Sequence, residues 1–365
     1  MFKRRYAALL PALILLSACS SKPKTEAVQQ TAGAPSGGFL LEPQHNMMQM
    51  GGDFANNPAA EQFIDNMVSK HGFDRQQLHE ILSQAKRLDY VLRLMDRQAP
   101  TTQAPTGPNG AWLRYRKQFI TPDNVQNGVV FWNQYEDALN RAWQVYGVPP
   151  EIIVGIIGVE TRWGRVMGKT RILDALATLS FNYPRRAEFF RKELDEFMLM
   201  AHEERQDMFT FKGSYAGAMG MPQFMPSSYR KWAVDANHDG HRNIWSDSND
   251  VMASVANYMK QHGWKTGGKI SVPVSFQMTE AIQAKLDEDT QLTHTVGDFK
   301  RLGVQVSDAS VADSEKAFLY RLETAPGQYD YYLGLNNFYT IWQYNHSRLY
   351  VSAVKEIAEN VARSR

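Results

Sequence analysis

A single cysteine, Cys19, sets the first constraint on this 365-residue chain: with no second thiol it can close no internal disulfide, so a packed core must supply its stability. A chain of this length has the residues for such a core, in two or three units at roughly 150 residues each. The position of the cysteine adds a second message. Lys3-Arg4-Arg5, an apolar stretch from Ala7 to Leu16 broken by Pro11, and Leu16-Ser17-Ala18-Cys19 follow the charged, apolar and small-residue order of a secretory signal. The apolar stretch is too short to span a bilayer. Residues 1–18 are therefore expected to be a signal peptide, with Cys19 lipidated in a bacterial lipobox as the mature N-terminus; an ordinary signal with an incidental cysteine is the alternative. Ser20 rather than Asp follows the cysteine, the sorting pattern of an outer-membrane lipoprotein facing the periplasm.

Forty basic residues against thirty-eight acidic ones give no nucleic-acid surface. Aromatics make up 12% of the chain, and many Tyr and Trp stand beside Gly and Asn, which suits stacking on sugars as well as filling a core. Residues 19–57 are rich in Ser, Pro, Gly, Gln and Asn and read as a flexible tether. Helical spacing of Phe63, Ile64, Met67 and Val68, a stop at Gly72, and a capping signal at Asp74 to Gln77 open an N-terminal helical domain over residues 58–140. Its second helix would bury Leu78, Ile81, Leu82, Ala85 and Leu88. Thr121-Pro122 starts a helix expected to run through Trp132 and Trp143 to Gly147. A core follows over residues 141–265, with helices after Pro150, from Ala187 to Glu204, and from Asp250 to His262. Alternation of Ile270, Val272, Val274 and Phe276 marks a small β domain over residues 266–325, and residues 326–365 return to the core with a closing helix from Arg348. The fold class is α+β, mainly α.

Three segments carry chemistry. In the helix after Pro150, Glu160 has Ile156 and Ile157 one turn behind it, so its carboxyl is expected to be desolvated and held protonated near neutral pH, as a general acid must be. Pairing with Arg162 or Arg165 at a helix end is the competing reading. The stretch Gly213 to Pro226 combines glycines with Ser214, Tyr215, Gln223 and Phe224 and describes a loop that backs onto a ligand, or else a tight connection. Gln223 and Ser214 would hydrogen-bond sugar hydroxyls or an N-acetyl group, and Tyr215 or Phe224 would offer a flat apolar face. Asp235, Asn237, Asp239, Gly240 and His241 match the first half of an EF-hand loop over residues 235–247. Position twelve is Ser246 and Asp247 comes one residue late, so Asp235, Asn237, Asp239, the His241 carbonyl and Asp247 are expected to hold Ca²⁺ weakly as a structural clip, against a metal-free Asx-rich turn.

Glu160-Thr-Arg-Trp-Gly, Ala216 to Tyr229, and Asn337-Phe-Tyr-Thr340 with Tyr344-Asn345 together resemble the membrane-bound lytic murein transglycosylase B family, lytic transglycosylase family 3. The resemblance spans nearly the whole chain and includes Gly37 to Glu42. It implies a lysozyme-like helical core in which Glu160 is acid and then base, with Ser214, Gln223, Tyr339 and Tyr344 along the cleft and Tyr115, Arg185 and Arg186 as further subsite residues. It also implies cleavage of the β-1,4 bond between N-acetylmuramic acid and N-acetylglucosamine in peptidoglycan with 1,6-anhydro ends, no catalytic cofactor, and company among cell-wall synthesis proteins. An ordinary glycosidase needs two carboxylates. The motifs offer one, so the nucleophile would come from the substrate itself. A hydrolytic muramidase on the same fold and a non-catalytic wall-binding lipoprotein are the alternatives.

Overall fold

A computed structural model describes residues 50–98 and 108–365. The expected signal, Cys19 and the Gly37–Glu42 segment lie outside the described residues. Among those residues no single helix is long and apolar enough to cross a membrane. They divide into two compact units at the Lys86/Arg87 boundary.

In the first unit a turn at Gly52–Phe54 precedes α1 (Pro58–His71) and α2 (Arg75–Gln84), which bury Phe63, Ile64, Met67, Leu78 and Leu82. Their boundaries follow the sequence signals. Gly72 closes α1 at φ 70°, a left-handed conformation that costs glycine little, and the Asp74 carboxylate accepts from Gln77 N at 2.8 Å to open α2. The stripe is shorter than its periodicity suggests, since α2 stops at Gln84 and Ile81 and Leu88 are only half-buried.

The second unit begins with α3 (Asp89–Gln98), α4 (Ala111–Arg116), α5 (Pro122–Gln134), α6 (Glu136–Tyr146) and α7 (Pro150–Thr161). One helix expected up to Gly147 is thus two. Tyr135, at φ −117° and ψ 24°, leaves the helical path, and its N–H divides between the Phe131 and Trp132 carbonyls. Next come β1 (Thr170–Arg171), α8 (Ile172–Asn182), α9 (Ala187–Glu203), β2 (Lys212–Gly213), α10 (Pro226–Trp232) and α11 (Ser248–Gln261). Helix α8, absent from the periodicity reading, buries Ile172 through Ser180 and packs on α9. It is apolar on most sides, so it shows no stripe.

The sheet portion comprises β3 (Ser271–Ser275), α12 (Glu280–Leu286), β4 (His294–Thr295), α13 (Val296–Arg301), β5 (Gln305–Val306), β6 (Lys316–Ala325) and β7 (Gln328–Gly334). Its strands run antiparallel in the order β4-β6-β7-β3-β5. Val272, Val296, Phe299, Leu319 and Leu333 form its own apolar core. The sheet continues past Ala325, because β7, folded back on β6 after Pro326-Gly327, is its middle strand. The chain ends with α14 (Asn336–Tyr344) and α15 (Arg348–Ser364).

Helix α7 lies at the centre of this unit: residues 152–161 are all buried, against α5, α6, α11 and α15. A helix apolar on every side needs neighbours on every side. Gly155 lets α15 come close, since a Cβ there would sit 2.8 Å from the Val354 carbonyl oxygen. That approach brings α15 against the helix that bears Glu160.

Candidate active site

Glu160 stands one residue before the end of α7, where the chain stops being helical abruptly. Arg162, Trp163 and Gly164 take φ values of 51°, 58° and 82°, and the Trp163 indole folds back to donate to Val154 O at 3.1 Å. Arg162 points to Gln118 O, and Glu160 forms no ion pair among the described residues. The competing Arg pairing is therefore not made. Instead Glu160 is 7% exposed, and Tyr350 on α15 donates to its Oε1 at 2.7 Å. Burial pushes the carboxyl up to about 8, while the tyrosine hydrogen bond, which favours the charged form, pulls it partway down. Among the described residues no other carboxylate acts on it.

Tyrosines gather around this group. The Glu160 charge raises Tyr115, Tyr344 and Tyr350, secondary in each case to burial. Tyr344 stacks parallel to Tyr350 and donates to the Pro222 carbonyl next to Gln223. Sequence reasoning missed Tyr350. It lies 190 residues from its partner, in a helix whose local pattern reads as an ordinary amphipathic one.

The glycine-rich loop folds onto the end of α7. Thr161 Oγ1 donates to Met221 O at 2.9 Å, and Ser214 N and Met219 N donate within the loop to Ala218 O and Phe224 O. Ser214 is buried and its Oγ accepts from Ala216 N and Ala218 N, so it shapes the loop and keeps its own proton to give. Gln223 sits at φ 53° and directs its amide nitrogen to Met167 O and Gly220 O at 3.2 and 2.9 Å. Two carbonyl partners fix which end is nitrogen, leaving the amide oxygen to accept from a ligand.

Other expected residues fall elsewhere. Phe224 offers no sugar platform, because it is 2% exposed and packs against Tyr258 and Tyr344. Tyr215 is likewise buried, at 7% exposure. Arg185 is exposed beside α9, and Arg186 lies 4.4 Å over the Phe189 ring; neither charge bears on Glu160. Tyr339 is half-buried on α14 and stacks on Trp342.

The EF-hand-like loop is a knot of oxygens. Asp235 accepts from Asp239 N and Gly240 N, and the Asn237 amide nitrogen bridges Asp239 Oδ2 and Asp247 Oδ2 at 3.1 and 2.8 Å. Among the described residues no three His, Cys, Asp or Glu side chains form a ready metal cluster. The amide bridge sets a donor between the Asp239 and Asp247 carboxylates, and turning the Asn237 amide over would present an oxygen to a cation instead. The donor set fits Ca²⁺ on that condition. Ser246 takes no part, its hydroxyl accepting from Asn243. Asp250, fully buried, accepts from Ala236 N and Asn243 N and carries the loop from below. It falls beyond the spacing the motif inspects.

A family model described as a transglycosylase SLT domain matches residues 55–359. The membrane-bound lytic murein transglycosylase B of Escherichia coli (strain K12) is 64% identical over 367 residues, covering 100% of this chain and 99% of that protein. The chain belongs to the lytic murein transglycosylases. Among solved structures, the Escherichia coli lytic transglycosylase Slt35 in complex with bulgecin A superposes with a TM-score of 0.78 at 62% identity, over 89% of this chain and 99% of that one. The same enzyme in complex with calcium does so at 61% identity, with the same TM-score and coverage. This lytic transglycosylase thus has the lysozyme-like, mainly helical fold that its motifs implied.

Proposed function

We propose that this lytic transglycosylase of peptidoglycan works with Glu160 as its sole catalytic carboxylate. The observation that carries the reading is a buried acid, pushed up to about 8, on which no second carboxylate acts among the described residues. Protonated Glu160 gives its proton to the oxygen of the β-1,4 bond between N-acetylmuramic acid and N-acetylglucosamine, and the C1–O bond breaks. The 2-acetamido oxygen stabilises the cationic carbon. Glu160, now ionised and held by Tyr350, takes the C6 hydroxyl proton while that oxygen attacks C1 and closes the 1,6-anhydro ring. Protons and electrons balance, no water is consumed, and the intramolecular attack has a high effective molarity.

Ser214, Gln223, Tyr115 and Tyr344 line the cleft beside Glu160 in this reading, with Arg185, Arg186 and Tyr339 serving more distant sugars or peptides. Asp235, Asn237, Asp239, the His241 carbonyl and Asp247 would hold Ca²⁺, which supplies structural cross-linking and no chemistry. The segment order of signal, tether, N-terminal helices, core, β domain and C-terminal return serves an enzyme lipidated at Cys19, tethered to the periplasmic face of the outer membrane and working beside cell-wall synthesis proteins. Digestion of purified sacculi tests the reaction: mass spectrometry should find ends one water lighter than reducing ends, and a folded Glu160→Gln variant should release none. Reducing ends, or full activity in that variant, would remove the mechanism. Cys19→Ala should move the protein to the soluble fraction.

A further inference from the structure

Helix α15 has two working faces. Tyr350 meets Glu160 on one, and Ser352, Lys355, Glu356, Glu359 and Arg363, about 140° to 240° around the helix at 100° per residue, line a separate groove on the other. A cavity of about 440 Å³ there has Trp112, Tyr320 and Tyr332 among its walls, within the size range of small-ligand sites. A second cavity of about 370 Å³ continues it across Ser271, Lys355 and Glu359 to Trp264. The Trp264 indole nitrogen is buried without a hydrogen-bond partner in that continuation.

The charges in this groove are of both signs and sorted. Its floor is neutralised: Arg116 grips Glu356 through two nitrogens, and Lys355 pairs with Glu359 at 2.7 Å. Two rim charges have no ionic partner among the described residues. Asp330, exposed on β7, stands close enough to raise the Tyr332 hydroxyl after burial itself, and Arg363, at the end of α15, meets only the Asn360 amide oxygen. One free anion beside an aromatic ring suits an ammonium group, and one free guanidinium suits a carboxylate. Ser271, Ser352 and Thr324 add hydroxyl oxygens to the walls, where peptide amides could donate.

We propose that this groove binds the stem peptides of peptidoglycan, chains that carry free carboxylates and a side-chain amine, separately from the glycan cleft. The inference rests on the reading of the chain as a peptidoglycan enzyme and adds a second attachment to the wall. Because the groove lies behind α15, the peptide it holds belongs to wall material other than the sugars being cut.

The probe is the free tetrapeptide L-alanyl-D-glutamyl-diaminopimelyl-D-alanine, titrated calorimetrically into the full chain. Binding is expected in the wild type and equally in Glu160→Gln. Asp330→Lys and Arg363→Glu, both at exposed positions, should each weaken it about tenfold or more, and a peptide-free disaccharide should not compete. Both variants should still digest peptide-free glycan strands at the wild-type rate. Absence of binding at millimolar peptide, binding unchanged in both charge variants, or displacement by the disaccharide overturns the groove. Failure of glycan digestion by the wild type would instead overturn the catalytic reading and leave the peptide result standing.

Discussion

Glu160 and Tyr350 depend on each other. In the proposed mechanism the carboxyl must be neutral to give a proton and charged to take one back, and the Tyr350 hydroxyl at 2.7 Å favours the second state. Tyr350→Phe should therefore lower kcat by about 10- to 100-fold, within the range of one positioned acid–base contact. The same substitution removes the influence that lowers the Glu160 pKa, so the alkaline limb of the kcat/KM profile, near pH 8 in the wild type, should move upward. A limb that stays in place would separate Tyr350 from the acid. Stability should follow the same group. Its folded value of about 8 lies above the ordinary 4.5, so its favourable contribution is complete below pH 4.5 and is lost as pH rises through 8. Glu160→Gln does not titrate. The melting temperature of that variant should exceed the wild-type value by a margin that widens from pH 4.5 to 8, and a constant margin would mean the carboxyl is not buried neutral.

At the scale of elements, the loop from Gly213 to Pro226 is a rigid part made from backbone bonds. Gly220 shows the constraint: its φ is 69°, and a Cβ would lie 2.5 Å from the Ile244 carbonyl oxygen, which itself accepts from Met221 N. Gly220→Ala should cost about 1–3 kcal/mol of stability in urea denaturation and displace Gln223 three residues on, with activity falling more than stability alone explains. Wild-type activity with an unchanged denaturation midpoint would contradict this. Through its bond from Met221 N, Ile244 ties the EF-hand-like loop to the glycine-rich one. Sequence motifs located both loops but not the link, because a carbonyl that accepts from another loop leaves no trace in residue type.

For the whole molecule, calcium should act through folding rather than chemistry. Millimolar Ca²⁺ should stabilise the wild type and not Asp235→Ala, by about 2.7 kcal/mol when the ion is at 100 times its Kd, read as a higher melting temperature, with turnover of sacculi at low temperature little changed. Equal melting temperatures with and without the ion would exclude the site. Such a clip would add to what the β portion supplies with its own core at Val272, Phe299 and Leu333, in a chain that has a single cysteine.

Residue order alone established the helical class, the caps at Asp74 and Thr121, the apolar helix that holds Glu160, and the glycine loop, because propensity, capping and burial periodicity act over a few neighbouring residues. The motif resemblance also named Tyr115 and Tyr344, and the fold brings both within electrostatic reach of Glu160. Only the folded chain decided that Tyr350 completes the acid's surroundings, that Phe224 and Tyr215 turn inward, that Tyr135 splits a helix, and that β7 runs through the middle of the sheet. Those outcomes depend on contacts between segments far apart in the chain, where shape and desolvation choose the partner and local pattern is silent.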